Sequence, residues 1–165
     1  MDNLLVLRGM NSEQVDLIAT DPPFNTKRNR SGTAGHHVDK WKYGDTGKLP
    51  DQWKRNEVRP KWLETIQDGN SELYQVIESK RVVQGEDTAA FLCFLSVRLL
   101  EMPRILKDTG SIYLHCDHTA NGYIRMAMEA IFGKKNFINE IVWLRKDGEK
   151  QPFTRLAEMK VQSFS

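Results

Sequence analysis

Apolar positions along the chain recur with a period near 2 in some stretches and near 3.6 in others, the mark of strands interleaved with helices. The first apolar run, Val15, Leu17, Ile18 and Ala19, predicts a buried strand over Val15 to Thr20. A polar, glycine-bearing insertion follows, from about Asn25 to Leu49. Leu73, Val76 and Ile77 then share one face of a short helix expected over Asn70 to Lys80. A longer helix starts at an Asp87 or Thr88 cap. It carries Phe91, Leu92, Leu95, Leu99, Met102 and Leu106 at helical spacing, with Pro103 kinking it and Gly110 beyond its end. Ser111 to Cys116 reads as a second strand, Thr119 to Phe132 as a helix stopped at Gly133, and Phe137 to Leu144 as a third strand. Strands joined through a helix imply a parallel, right-handed crossover. The fold class is therefore α/β, a piece of a doubly wound sheet.

Composition narrows this picture modestly. A chain of 165 residues with 39% hydrophobic content suffices for one domain with a modest core. Cys93 and Cys116 are too few for a disulfide framework, and no apolar run reaches the ~18 residues of a membrane span, so a cytoplasmic protein is expected. The net charge of +2 conceals an asymmetry. Residues 26–62 hold ten Lys or Arg against four Asp or Glu, a local balance of +6 that leaves −4 for the rest. Lys27, Arg28 and Arg30 come first, and Trp41, Trp53 and Trp62 are then interleaved with Lys40, Lys42, Lys54, Arg55 and Lys61. Each tryptophan taken singly reads as packing for the insertion. The charge cluster as a whole reads as a surface for nucleic-acid phosphates.

The most specific signal is Asp21-Pro22-Pro23-Phe24, set directly after the first strand. In open α/β sheets ligands bind beyond the carboxyl ends of strands, which is where this tetrapeptide falls. An exocyclic amine of adenine or cytosine is a poor nucleophile because its lone pair is delocalised into the ring. A site that activates it must accept both N–H bonds. The Asp21 carboxylate and the Pro22 main-chain carbonyl are two such acceptors, and neither Pro22 nor Pro23 has an N–H to compete for them. Phe24 adds an aromatic face for a base taken out of its stack. A stiff turn ending a strand is the structural alternative for the same residues.

With these residues in place, the chain resembles the amino-methylating DNA methyltransferases of the adenine-N6 or cytosine-N4 kind. Asp2 to Asn25 matches their opening, and the run Gly110 to Asp117, with Phe132-Gly133, Asn136-Phe137 and Asn139 to Trp143, matches the region after their catalytic turn. The order is that of the permuted group, whose catalytic half comes first. The resemblance implies a Rossmann-like sheet, S-adenosylmethionine as cofactor with Asp2, Asp21 and Pro22 near it, and duplex DNA with a flipped target base as partner. It further implies Asp21, Pro22, Pro23 and Phe24 as the catalytic turn. Residues 1–146 are then the catalytic portion, carrying an insertion over about 25–86 that is basic at 26–62.

The chain departs from that family in one respect. The permuted group carries a glycine-rich turn, Phe-x-Gly-x-Gly, after the region of Trp143, and no such turn occurs here. Residues 147–165 are read as an atypical tail, left by truncation or belonging to half of a split enzyme. A second chain or a C-terminal segment is then expected to bring the turn. Two other functions compete: a non-catalytic nucleic-acid-binding remnant, and a ribosomal-RNA guanine-N2 methyltransferase, whose glycine-rich loop would have to precede Asp21. No metal is expected, because the consecutive residues His115, Cys116, Asp117 and His118 point in alternating directions from a strand end. Asp117 is expected to cap the following helix.

Overall fold

The computed structural model describes residues 3–22 and 60–144, with the backbone alone of short stretches at 30–32, 35–37, 42–43, 57–58 and 153–160. The chain opens with helix α1 (Asn3–Gly9) and strand β1 (Val15–Thr20). Four short strands follow: β2 (Arg30–Gly32), β3 (Gly35–His37), β4 (Lys42–Tyr43) and β5 (Glu57–Val58). Helices α2 (Pro60–Gly69), α3 (Ser71–Gln84), α4 (Glu86–Leu99) and α5 (Met102–Ile105) lead to strand β6 (Leu106–Asp117). Helix α6 (Asn121–Phe132) and strands β7 (Phe137–Leu144) and β8 (Phe153–Lys160) complete the order. The elements group into two compact units, Met1–Pro22 with Arg98–Ser165, and Pro23–Val97.

The first unit is built on a four-stranded sheet in the order β1-β6-β8-β7. β1 and β6 run parallel, as an α/β fold requires. The core lies on one face of β6, where Ile112, Leu114 and Cys116 are fully buried at every second position. Helix α6 packs on β6 and β8 and buries Tyr123, Ile124, Ala127, Met128 and Phe132, one apolar stripe at helical spacing. Each large side chain so buried contributes about 1.5–3 kcal/mol relative to exposure. Arg104 fixes the end of α1 by donating to the carbonyls of Met10 at 2.7 Å and Leu7 at 2.8 Å, the latter also accepting from Met10 N at 3.3 Å.

Several expectations are corrected here. β1 is not a buried strand: it ends the strand order, and Leu17 is 57% exposed. β6 and β7 do run in the same direction, since both are antiparallel to β8, but they are not neighbours. The segment past residue 146, read as a tail, supplies β8, which pairs with β6 on one side and β7 on the other. The long helix expected up to Leu106 ends at Leu99, and Pro103 sits in the first turn of the separate α5. Proline lacks the N–H needed to continue a helix yet suits its first turn, so it starts a new helix rather than bending the old one. Leu106, counted as helical, opens β6.

Gly110 likewise lies within β6, not beyond a helix. The ladder with β1 passes from Val15↔Leu106 to Leu17↔Ser111, so β6 bulges between these pairs. A Cβ at Gly110 would lie 2.8 Å from the Lys107 carbonyl oxygen and 2.9 Å from Leu106 Cδ2. Only glycine lets the bulge fold that tightly.

The second unit is helical where its side chains are described. Ile66 of α2 and Leu73 and Ile77 of α3 are fully buried, and α2 packs on α3. Asn70 caps α3 by accepting from Leu73 N at 2.9 Å. α3 runs on past the expected Lys80 to Gln84; the apolar stripe fails to mark this last turn, where Val82 and Val83 are 85% and 73% exposed. Gly85, at φ 97°, ends it. Trp62 stacks at a tilt on Phe94, 6.4 Å between ring centroids, which gives this tryptophan the packing role. β2 and β3 form an antiparallel pair and β4 and β5 a parallel one.

Candidate active site

The parallel register of β1 and β6 positions the site. Leu17 pairs with Ser111, Ile18 with Ile112, Ala19 with Tyr113 and Thr20 with Leu114. Carried one residue further, the ladder sets Asp21 beside His115. Side chains alternate along strands, so both project on the face of Ala19 and Tyr113, opposite buried Leu114. His115 Nδ1 lies 2.8 Å from Asp21 Oδ1. An ionised carboxylate only accepts, so in this pair Nδ1 carries the hydrogen and donates it. The Asp21 side chain is 70% exposed and that of His115 28%, which leaves the carboxylate open to a ligand and the ring held among its neighbours. Pro22 is buried and anchors the backbone directly after the carboxylate.

The next residues of β6 diverge. Cys116 is buried, its Sγ 3.7 Å from Asn121 Oδ1. Asp117 closes the turn before α6 rather than capping the helix as expected: its Oδ1 accepts from Thr119 N at 3.1 Å, Thr119 Oγ1 at 2.8 Å and Ala120 N at 2.8 Å, and the N-cap position is Ala120. His118 is exposed. Among the described residues no group of three or more His, Cys, Asp or Glu is placed to hold a metal ion.

Beside this strand end, Asn121 Nδ2 donates to Glu140 Oε1 at 3.3 Å. The Arg125 guanidinium lies 3.9 Å from Glu140 Oε2 and 3.8 Å above the Phe137 ring centroid. These contacts fasten β7 to α6. They give the Asn136-Phe137 and Asn139-Glu140 stretches a structural part.

Of the residues singled out from the sequence, Asp21 and Pro22 are described and meet at the strand end. Pro23, Phe24, Lys27, Arg28, Lys40 and Asp2 lie outside the described residues, as do Trp41 and Trp53. Arg30 and Lys42 are seen only as backbone, on β2 and β4. His115, which the sequence presents as part of an inert strand end, joins the site. The signal that finds it is pairing: the parallel register sets the polar residue just past the end of β1 beside the next residue along β6.

The chemistry of these residues fits one side of a group transfer. A carboxylate and a neighbouring carbonyl suit an N–H-bearing acceptor of the group. Among the described residues the positive-φ glycines, Gly85 and Gly133, both end helices.

Comparison with known proteins bears on the same region. A family model described as DNA methylase, of the N6/N4 type, matches residues 15–162. The chain is similar to the StyLTI Mod subunit of a type III restriction-modification enzyme from Salmonella typhimurium, 31% identical over 150 residues, covering 88% of this chain and 20% of that protein. It is similar to the EcoP15I Mod subunit of Escherichia coli, 25% identical over 150 residues, 86% of this chain and 20% of that protein. A type II methyltransferase of Enterobacter cloacae, M.EcaI, is 38% identical over 71 residues, 41% of this chain and 16% of its own. The match spans about a fifth of the length of the Mod subunits.

Proposed function

We propose, from the premise that the chain belongs to the DNA methylase family, that it is the part of a site-specific DNA methyltransferase that holds and activates the target amine, adenine N6 or cytosine N4. The observation that carries this is the position of Asp21: one residue past the last pair of a parallel ladder, largely exposed, and followed by buried Pro22. In this reading Asp21 and the Pro22 carbonyl accept the two N–H bonds of the amine, Pro23 stiffens the turn, and Phe24 stacks on the extruded base. Extrusion costs a few kcal/mol, offset by stacking on Phe24 and by the phosphate contacts. Lys27, Arg28, Arg30, Lys40 and Lys42 neutralise phosphates of the duplex without reading its sequence.

Methyltransferases of this family take the methyl group from S-adenosylmethionine. The glycine-rich turn that would hold its methionine end is assigned to a further segment or a second chain, with Asp2, Asp21 and Pro22 contributing from this one. The setting is cytoplasmic, in a restriction-modification system like those named for the similar proteins. Among the described residues no helix is long and apolar enough to cross a membrane.

The test is labelled-methyl incorporation into mixed-sequence duplex DNA, alongside calorimetric titration with S-adenosylmethionine. The chain with a segment carrying Phe-x-Gly-x-Gly is expected to bind the cofactor and methylate, and the chain alone to do neither. Robust incorporation by the chain alone would overturn the assignment of the cofactor turn. Absence of incorporation in both would overturn the enzyme reading in favour of a binding remnant.

A further inference from the structure

We infer that His115 is a positioning residue for Asp21, using its Nδ1–H to hold Oδ1 so that Oδ2 is the oxygen offered to the target amine. The inference rests on the proposed methyl transfer. An aspartate 70% exposed at the end of a strand is otherwise free to turn about its side-chain bonds. Its two oxygens are then interchangeable, and each encounter with an amine must first fix the carboxylate. The 2.8 Å contact from Nδ1 to Oδ1 removes that freedom by a charge-assisted hydrogen bond.

The donor itself is well placed to stay still. Its backbone is locked on both sides, since Leu114 pairs with Thr20 of β1 and His115 pairs with Leu156 of β8. The buried flanking residues, Leu114 and Cys116, pin β6 from its other face. Positioning matters because reaction needs the amine held in near-attack geometry. A misplacement of about 1 Å in such a site costs on the order of 100-fold in rate. His115 touches neither substrate nor reacting atoms in this arrangement; it acts through Asp21.

Two measurements test the role. Nitrogen-detected histidine NMR of the 165-residue chain at pH 8.5 reports the proton on each ring nitrogen, with the His115 signal assigned by its absence in His115→Asn. The expected result is a hydrogen on Nδ1 whose shift changes in Asp21→Asn. A His115 ring protonated on Nε2 alone, or unchanged in Asp21→Asn, would overturn the inference.

Turnover is then measured with the segment that supplies the glycine-rich turn. His115→Leu is expected to lower kcat on the order of 10- to 100-fold with KM for DNA within about 2-fold, the pattern of a lost transition-state interaction. His115→Asn, whose amide nitrogen is bonded to Cγ as Nδ1 is, recovers most of that loss. His115→Gln, which moves the nitrogen one bond further, does not. Equal turnover in His115→Leu and wild type, while Asp21→Ala is inactive, overturns the role of His115 alone. Full activity in Asp21→Ala overturns the proposed function, and this role with it.

Discussion

Thr20 and Leu114 are the last paired residues of the β1 and β6 ladder, so the residues after them, Asp21 and His115, lie side by side where β1 leaves the sheet and β6 runs on to Asp117. The site is thus an outcome of register. A slip of one position in either strand would put its side chain on the opposite face from the other and separate the pair.

Asp21→Ala is expected to lower methyl incorporation by about 100-fold or more, the scale for losing one preorganised partner of the reacting group. DNA affinity should change little, because the carboxylate acts on an amine already delivered to it. Initial rates and a filter-binding titration on the same preparation check both halves. Near-normal turnover would remove Asp21 from the mechanism.

Replacing Lys27, Arg28 and Arg30 together with alanine is expected to weaken binding to unrelated duplexes alike. The slope of log K against log salt should fall by about 0.9 for each phosphate no longer neutralised. Fluorescence anisotropy over a series of salt concentrations gives that slope. An unchanged slope would take these side chains out of the interface.

Gly110→Ala is expected to destabilise the fold by about 1–3 kcal/mol, as overpacking does. The new methyl group would meet the Lys107 carbonyl at 2.8 Å and the Val15 carbonyl at 3.2 Å, and backbone atoms give way less easily than side-chain ends. Urea unfolding followed by circular dichroism measures the shift. Gly122→Ala, where nothing lies within 4 Å, serves as the control.

Ending the chain at residue 150 separates a tail from a strand. β8 joins β6 to β7, and its loss leaves those strands without a common neighbour. The shortened chain should lose cooperative unfolding and bind a hydrophobic dye. A sharp transition like that of the parent would show that β8 is dispensable.

Local signals in the sequence suffice where structure is local. Val15 to Thr20 is a strand with the expected bounds, α3 begins within one residue of the expected start, and Gly133 closes α6. Asp117 closes its turn through hydrogen bonds two and three residues away. Legibility fails where a partner lies far along the chain. His115 acquires its meaning from Asp21, 94 positions earlier, and no pattern around His115 hints at it. The sequence of β8 shows no clean alternation of apolar and polar residues, with Leu156 followed directly by Ala157 and charges at Arg155, Glu158 and Lys160. Only the gap between β6 and β7 makes it a strand. Leu4 to Leu7 is apolar at every position, so periodicity does not assign the helix that α1 forms.

The placement of β8 also orders events during synthesis. β8 is last in the chain but third across the sheet, so β7 must wait for a segment not yet made before it can join β6. At roughly 5–20 residues per second that wait lasts on the order of one to a few seconds. Through it, β7 has no strand partner and presents an open backbone edge, which β8 then covers. The nascent chain therefore passes through a dated interval of stickiness, opened by β7 and closed by β8. A chaperone that captures it should act within that interval.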